Sequence, residues 1–504
     1  MTQTMNIKKS MIAAISSVAI LSYAAPTMAQ NAMMDAPMTM DQQMQMENNV
    51  AAVMPSQTMP VMQPMASSAS SASTNPAQMS LSEAISMGVM TNPEYGVVAG
   101  TRRATDEELN QAEALYMPSI DFSGDAGFEY TDDRFTNNRV GDNDTETLFR
   151  NEAGLTLTQM LFDGWETKYE VERQENRVQS SAYRVKETAE LVGLSIVESF
   201  LEVIRQRELI GITRDNVNEH LAIMGLIQEG VDGGRSTQAD LEQIKARLAS
   251  SRAQESTVLQ QLRIAEANFR REVGADPRDL VLPAVPVNAL TSNIEEEVKT
   301  VITSSPTLSI FDSDVRVAYA ELNGTGSTLY PQIDLQLNGR TGENLGGVED
   351  RDTSASALVV ANWNLYRGGG DIARIREFTH RYQVAKERRA DTARAVENDT
   401  RQTWARMMSA GERASEFAAQ AAANTEVVRA YKDQFSLDRR TLLDVLDSQN
   451  ELFVSRTNTI NAEFLEMFSV FRLLALKGQL LPTLDVAFPR EVELIDPAMY
   501  VVDR

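Results

Sequence analysis

The sequence predicts an α+β membrane protein. Each chain would contribute four strands to a trimeric, twelve-stranded outer-membrane β-barrel, which is continued by a long periplasmic α-helical coiled-coil barrel. Three observations predict this fold: an internal two-fold sequence repeat, four segments in which polar and apolar residues alternate, and two very long amphipathic helical hairpins.

The repeat keeps its spacing although its sequence has diverged. Gly164 precedes Asp240 by 76 residues, and Gly368 precedes Asp444 by the same number. Each aspartate is followed by another glycine after a further 34 residues. Loops tolerate insertions, whereas paired rods of fixed reach do not, so the spacing indicates rods of equal length.

The N-terminal region is typical of an exported protein. Residues 1–29 combine two lysines, a short apolar run and a small-residue cleavage site, as a signal peptide does. Residues 30–79 hold many Met, Ser, Gln and Pro residues, which predicts a flexible extension. Its spaced methionines leave a weak possibility of Cu(I) binding beside the interpretation as a plain linker. They are Met38, Met40, Met44 and Met46.

The composition argues against catalysis and nucleic-acid binding. The chain has no cysteine and only two histidines, His220 and His380, neither beside a paired nucleophile. Its formal net charge of −24 opposes binding to nucleic acid. We expect no enzyme activity, no cofactor and no metal site other than the weak methionine set.

The first repeat, residues 80–280, runs in the order helix, strand, loop, strand and long helical hairpin. Apolar and polar side chains alternate after Pro118 and again before Leu161, which predicts two strands with one apolar face each. The first helix is expected from 81 to about 116. The long helix after Trp165 would measure on the order of 100 Å.

The second repeat, residues 293–485, follows the same plan after a linker at 281–292, and residues 486–504 form a C-terminal tail. Its first helix is expected to run from about 293 to 329. Two more alternating segments follow, the second with Trp363 on its apolar face.

The strands determine how the chain must assemble. Outside the signal peptide, no stretch approaches the ~18 uninterrupted apolar residues of a membrane-spanning helix. Four strands cannot close a barrel, and an open sheet edge in lipid leaves backbone groups unpaired, at several kcal/mol each. Three chains would give twelve strands, which lies within the known range of outer-membrane barrels.

The segments that match known proteins most specifically are 234–237 with 240–241 at one hairpin tip and 440–447 at the other, and two further segments, 159–164 and 474–482, also match. They and the region from 81 to about 486 resemble the TolC family of outer-membrane export channels. The last two segments look most like the branch that serves type I secretion, including exporters of large adhesins. The resemblance implies a homotrimer in outer-membrane lipid that binds a periplasmic adaptor protein and an inner-membrane ABC transporter.

The resemblance also implies a periplasmic gate. Asp444 and Asp447 are three apart, hence on one helix face, and match carboxylates that ring the family's entrance. Arg440 matches an arginine that locks the inner hairpin to its neighbour, and Asp240 an acceptor in the same network. Without the resemblance, a solvated helix face would explain the two aspartates as well.

The chain departs from the family pattern at two gate positions. Phe435 stands where the family has a tyrosine, and Ala239 where it has a threonine. Part of the closing hydrogen-bond set is therefore missing, and we expect Arg440 to pair directly with Asp240 or with an aspartate of the ring. The resemblance implies that the turns contact the adaptor, although tight chain reversal at glycine would by itself explain their sequence. These turns consist of Gly233, Gly234, Arg235, Ser236, Leu437, Asp438 and Arg439.

The function expected from the sequence is export. The chain would be the outer-membrane duct of a type I secretion system that passes a protein, such as a large adhesin, from an ABC transporter and adaptor to the outside. The alternative is the outer-membrane component of a tripartite drug or metal efflux pump. A purely structural coiled coil is disfavoured, because a spacer has no use for an apolar sheet face.

Overall fold

A computed structural model describes residues 78–132 and 145–494 of the chain. The signal peptide and the four methionines proposed for Cu(I) lie outside the described residues, as does nearly all of the extension. The elements of the first repeat are β1 (Gln78–Met79), α1 (Leu81–Thr91), α2 (Pro93–Ala114), β2 (Ser119–Thr131), β3 (Glu146–Phe162), α3 (Glu166–Asp232) and α4 (Gln238–Val273). Those of the second are β4 (Asp279–Leu280), α5 (Ile294–Ser304), α6 (Pro306–Gly324), β5 (Gln332–Glu343), β6 (Arg351–Asn362), α7 (Gly370–Ser436), α8 (Leu442–Lys477) and α9 (Leu480–Thr483).

The helical hairpins of the two repeats have identical lengths. Helices α3 and α7 are both 67 residues long, and the returning helices α4 and α8 both contain 36. Adding 204 to any residue number of the first hairpin gives its counterpart in the second. At 1.5 Å per residue each long helix spans about 100 Å, as the sequence predicts.

Each predicted first helix is in fact two helices. The break falls at Pro93 in the first repeat and at Pro306 in the second, because proline has no N–H to donate and favours the first helical position. The Asn92 side chain accepts a hydrogen bond from Glu94 N at 2.8 Å and begins the second helix. After α6, residues 325–329 form a 3₁₀ helix rather than an α-helical end.

The four long strands form one antiparallel sheet in the order β2–β3–β5–β6. Its register places the predicted apolar faces on one side: Ile120 lies opposite Leu157, which lies opposite Leu337, which lies opposite Ala357. Ile120 and its neighbours on this face are highly exposed in the single chain, as a lipid-facing surface would be.

Three boundaries differ from the sequence prediction. Trp363 lies just beyond β6, where its indole N–H donates to Leu329 O at 3.3 Å. Residues 78–79, assigned to the extension, pair with β4 as a short parallel strand. Tyr95 donates to Glu491 at 2.9 Å, so part of the predicted C-terminal tail packs against α2. Burial and this carboxylate raise the pKa of Tyr95 to about 12.

The main core lies at the roots of the hairpins, where the returning helices end, about halfway along α3 and away from the sheet. Buried apolar residues of three hairpin helices meet there, including Leu201, Phe269 and Phe471. The rings of Phe200 and Phe269 are 6.2 Å apart. No helix within the described residues is both long and apolar enough to cross a membrane.

A buried ion pair fastens the root of the second hairpin. Lys477 Nζ lies 2.9 Å from Glu297 Oε1, and the two side chains are 2% and 0% exposed. The ammonium also donates to Ala289 O at 2.9 Å, and the carboxylate accepts from Thr291 N at 2.9 Å. A buried pair of charges requires such additional partners, because both ions have lost their water.

Candidate gate at the hairpin tips

The two hairpin tips share one backbone design. Gly234 (φ 73°) in the first tip and Asp438 (φ 55°) in the second are counterparts, and both have left-handed backbone conformations. Arg235 N donates to Gly230 O at 2.7 Å, and its counterpart Arg439 N donates to Gln434 O at 2.9 Å. Both tips therefore reverse the chain through a residue in the left-handed conformation, and this residue is a glycine only in the first tip.

Both returning helices begin with the same reciprocal capping box. The Thr237 side chain accepts from Asp240 N, and Thr237 N donates to Asp240 Oδ2 at 3.0 Å. Thr441 and Asp444 repeat this arrangement, with 3.2 Å between Thr441 N and Asp444 Oδ2. Two of the predicted gate residues, Asp240 and Asp444, thus also start their own helices.

The capping box affects the ionisation of Asp444. Hydrogen bonds from the Thr441 hydroxyl and backbone N–H, together with the Arg440 charge, lower the pKa of the Asp444 carboxyl. This carboxyl therefore keeps its charge at neutral pH in the single chain, in addition to capping its helix.

Arg440 is held by its own hairpin. Its Nε donates to Gln434 Oε1 at 3.0 Å, and its guanidinium lies 4.1 Å from the centre of the Tyr431 ring. Its Nη1 is 3.9 Å from Asp444 Oδ2. Within the single chain Arg440 therefore lies closer to Asp444, one of the two aspartates expected to ring the entrance, than to Asp240, which stays in its capping box.

The tips differ at one pair of facing positions. In the first tip a Cβ on Gly230 would lie 2.4 Å from Ser236 Oγ, so the backbone and the serine pack directly together. The counterparts in the second tip are Gln434 and Arg440, whose side chains bond each other. The same backbone therefore leaves one tip uncharged at this pair and gives the other a positive charge.

Two ion pairs and an apolar cluster join the tips within a chain. Arg247 on α4 lies 3.3 Å from Asp447 on α8, and Lys432 on α7 pairs with Glu219 on α3. Between them, buried residues of both hairpins form the tip cluster, which includes Phe435 at its edge. The cluster consists of Ile223, Ile227, Leu241, Ile244, Leu442, Val445 and Leu446, with Met224, Val231, Tyr431 and Phe435 packed against it.

The structure brings some predicted site residues together and separates others. Arg440 contacts Asp444, and Asp447 points to Arg247 of the other hairpin, while Asp240 remains within its capping box. Ala239 is exposed, as are the predicted turn residues, apart from the partly buried Ser236. Within the described residues, no group of three or more His, Asp or Glu side chains could hold a metal ion.

Sequence reasoning missed four residues at the tips: Arg247, Glu219, Lys432 and Gln434. Arg247 is 200 positions from Asp447, and no short-range pattern signals a pair at that separation. The Gln434–Arg440 contact could have been predicted, because the two residues are six positions apart on either side of one turn.

Comparisons with known proteins find relatives over most of the chain. The sequence model of a family described as "outer membrane efflux protein" matches residues 91–275 and 298–473. The chain is 23% identical over 386 residues to the outer membrane efflux protein BepC of Brucella suis biovar 1 (strain 1330), covering 75% of this chain and 80% of that protein.

Two further matches cover most of the chain. The outer membrane protein TolC of Escherichia coli (strain K12) is 20% identical over 395 residues, covering 74% of this chain and 77% of that protein. The crystal structure of the Campylobacter jejuni CmeC outer membrane channel superimposes with a TM-score of 0.69 at 11% identity, covering 88% of this chain and 99% of that one.

Proposed function

The chain belongs to the outer membrane efflux protein family, the TolC-type channels, and from this premise we propose that its hairpin tips are the gate of an export duct. The protein is an outer-membrane channel, not an enzyme, and its helical barrel extends into the periplasm. The channels of this family are homotrimers, so three copies of the four-stranded sheet make up the barrel.

The observation that carries the gate is the unequal chemistry of two tips with equal reach. Hairpins of the same length end in one plane, and the second tip of each chain carries Arg440, Asp444 and Asp447. Three chains would gather six of these carboxylates around the axis. Like charges about 6 Å apart repel by roughly 0.7–3 kcal/mol per pair, so closure depends on contacts that hold the tips against this repulsion.

The contacts within the chain supply such a hold. The tip cluster buries apolar residues of both hairpins, and the Arg247–Asp447 and Lys432–Glu219 pairs lie beside it. Arg440 lies over Tyr431 and would reach the neighbouring chain if the gate closes as the resemblance implies. The exposed turns at 233–236 and 437–439 are the proposed docking site for a periplasmic adaptor.

For the passenger we propose a protein, exported in a type I system by an inner-membrane ABC transporter and adaptor. Segments 159–164 and 474–482 support this proposal through their resemblance to the secretion branch. The test compares the proteins in the culture medium of cells with and without the chain. We expect the loss of at least one large secreted protein while antibiotic tolerance stays unchanged.

The second candidate is a tripartite efflux pump for drugs or metals. It is supported by the relative BepC, whose name describes an efflux protein, and by the methionine-rich extension. In the same comparison, unchanged secreted proteins together with lowered tolerance to drugs or copper would contradict the secretion role and support efflux.

A further inference from the structure

A network of charges crosses the polar face of the sheet near the ends farthest from the helices. Arg150 on β3 lies 3.0 Å from Asp125 and 3.3 Å from Glu129, both on β2, and 2.7 Å from Glu152 on its own strand. These residues alternate with the apolar positions, so they lie on the face opposite Phe128. In a closed barrel this polar face lines the lumen.

The network continues through the second pair of strands. Arg340 on β5 lies 3.6 Å from Glu152 and 3.2 Å from Asp352 on β6. All four strands therefore contribute a charged side chain at about the same height. The charges fix the shape of the lumenal rim, since each arginine bridges at least two strands.

The connection between β5 and β6, residues 344–350, folds back onto this rim. Asn344 (φ 61°), Gly346 and Gly347 have left-handed conformations that turn the chain sharply. The Asn344 side-chain amide donates to Phe149 O at 2.8 Å, and Gly346 N donates to Glu129 Oε2 at 3.0 Å. The connection of one hairpin is thus bonded to the other hairpin of the sheet.

Gly342 shows on which side of the sheet the connection lies. A Cβ on Gly342 would be only 2.9 Å from Leu345 Cδ1. Gly342 lies opposite Glu152 in the register and so belongs to the charged, polar face. Leu345 therefore covers that face, and the connection leans over the lumen instead of continuing the barrel wall outward.

We propose that residues 344–350 form an outer constriction of the duct, latched by Glu129, that selects passengers by their width. The inference rests on the proposed duct, since it requires the polar face to line a water-filled lumen. In a trimer three copies lean inward at one level. Glu129 is the positioning residue, because its carboxylate binds both Arg150 of the rim and the backbone of the connection.

The absence of cysteine from the chain allows a test that does not depend on the periplasmic gate. Ser123 lies on the same face of β2 as Glu129 and nearer the periplasm, about 20 Å away along the strand at roughly 3.4 Å per residue. In Ser123→Cys, labelling of intact cells by a probe too large to enter the periplasm reports passage through the outer mouth, and a small probe reports whether the thiol is accessible at all. The probes are N-ethylmaleimide and a maleimide that carries a long polyethylene glycol chain.

We expect the small probe to label Ser123→Cys quickly and the long probe slowly. Adding Glu129→Ala should speed labelling by the long probe by roughly tenfold, as loss of one charge-assisted hydrogen bond would do, without changing the small probe. Glu129→Gln should behave like the parent, because its amide oxygen still accepts from Gly346 N. Asp125→Ala is the matched control, since it removes a partner of Arg150 that does not contact the connection.

A second variant tests the same proposal in case the Glu129→Ala protein fails to assemble. Asn344→Gly keeps the left-handed conformation but loses the bond to Phe149 O, and should also speed the long probe. Equal labelling of the parent by both probes, or slow labelling by the long probe in both assembled variants, would overturn the constriction. If neither probe labels Ser123→Cys in any variant, the face does not line a lumen, and the duct itself is refuted.

Discussion

The two repeats have the same helix lengths but different chemistry at both ends of their hairpins. At the root, Val273 and Ala84 of the first repeat both lie in the main apolar core. The counterpart of Val273 is Lys477, and the counterpart of Ala84 is Glu297, since the helices before the strands are offset by 213 residues, as Pro93 and Pro306 are. In the second repeat these two residues form the buried ion pair. At the tip, Gly230 and Ser236 correspond to Gln434 and Arg440.

This comparison separates what builds the tube from what controls it. An apolar root is sufficient to hold a hairpin, because the first repeat has one. The charges of the second repeat are therefore additions to a scaffold that works without them. Four tests that change charged or ionisable groups in the two repeats examine this view, and they follow in order of decreasing expected effect.

Breaking the root ion pair of the second repeat should have the largest effect. Lys477→Val or Glu297→Ala alone leaves a buried charge unpaired, which typically costs about 3–5 kcal/mol. The double variant copies the first repeat and should recover most of that loss. Urea unfolding followed by circular dichroism measures the three free energies of unfolding. If the double variant is as unstable as the single ones, the apolar root cannot substitute for the ion pair.

Glu190 on α3 should make the stability depend on pH. Its side chain is 1% exposed and accepts from Leu480 N at 2.9 Å. Burial raises the pKa of this carboxyl to about 8, against the smaller opposing effects of the Leu480 and Leu481 N–H groups and Lys186. Because the folded pKa lies above the unfolded value, the contribution to stability is complete below about 4.5 and is lost as the pH rises through about 8.

We expect Glu190→Gln to remove this dependence. Between pH 5 and pH 8 the native protein should lose roughly 3 kcal/mol more than the variant, as thermal unfolding in a pH series would show. The matched control is Arg394→Gln, at the exposed counterpart in the second repeat, which should leave the pH profile unchanged. A Glu190→Gln profile that is parallel to the native one would contradict a neutral, buried carboxyl.

Arg440→Ala should weaken the gate. It removes the bond to Gln434 and the contact with Tyr431, together worth about 1–2 kcal/mol. Leakage of a large, normally excluded antibiotic should then rise by roughly tenfold, as a lower inhibitory concentration would show. The counterpart variant Ser236→Ala should leave the inhibitory concentration unchanged. Equal leakage in both variants would mean that the two tips do not differ in function at this position. Unchanged permeability of Arg440→Ala would mean that Arg440 is not part of the gate.

Most of the fold could be predicted from the sequence, because its signals are periodic. Alternating polarity located the strands with their faces, and the fixed spacing predicted hairpins of equal length, which have helices of 67 and 36 residues in both repeats. The prolines at Pro93 and Pro306 also indicate helix breaks, but the longer helical pattern around each of them favoured one continuous helix. The pairs Lys477–Glu297 and Arg247–Asp447 could not be predicted, because they join residues far apart in the chain and charged residues are usually solvated.

The ion pair between the tips should have the smallest effect. Arg247 and Asp447 are about half exposed, and such pairs contribute about 0.2–1 kcal/mol. The counterparts of Arg247 and Asp447 are Glu451 and Gln243, which cannot form the same pair. The exchange variant, Arg247→Glu with Asp447→Gln, gives each position the side chain of its counterpart. A double-mutant cycle on antibiotic leakage would measure the coupling.

Arg247→Glu alone places a negative charge beside Asp447 and should leak slightly more than Arg247→Gln, which only removes the bond. The exchange variant should return to the level of Arg247→Gln, because it has neither attraction nor repulsion at this site. A coupling of zero would mean that the apolar tip cluster and the Lys432–Glu219 pair join the two hairpins without a contribution from Arg247 and Asp447. The two tips would then differ in function only through Arg440 and the aspartates. The remaining contacts would be the same in the open and in the closed gate.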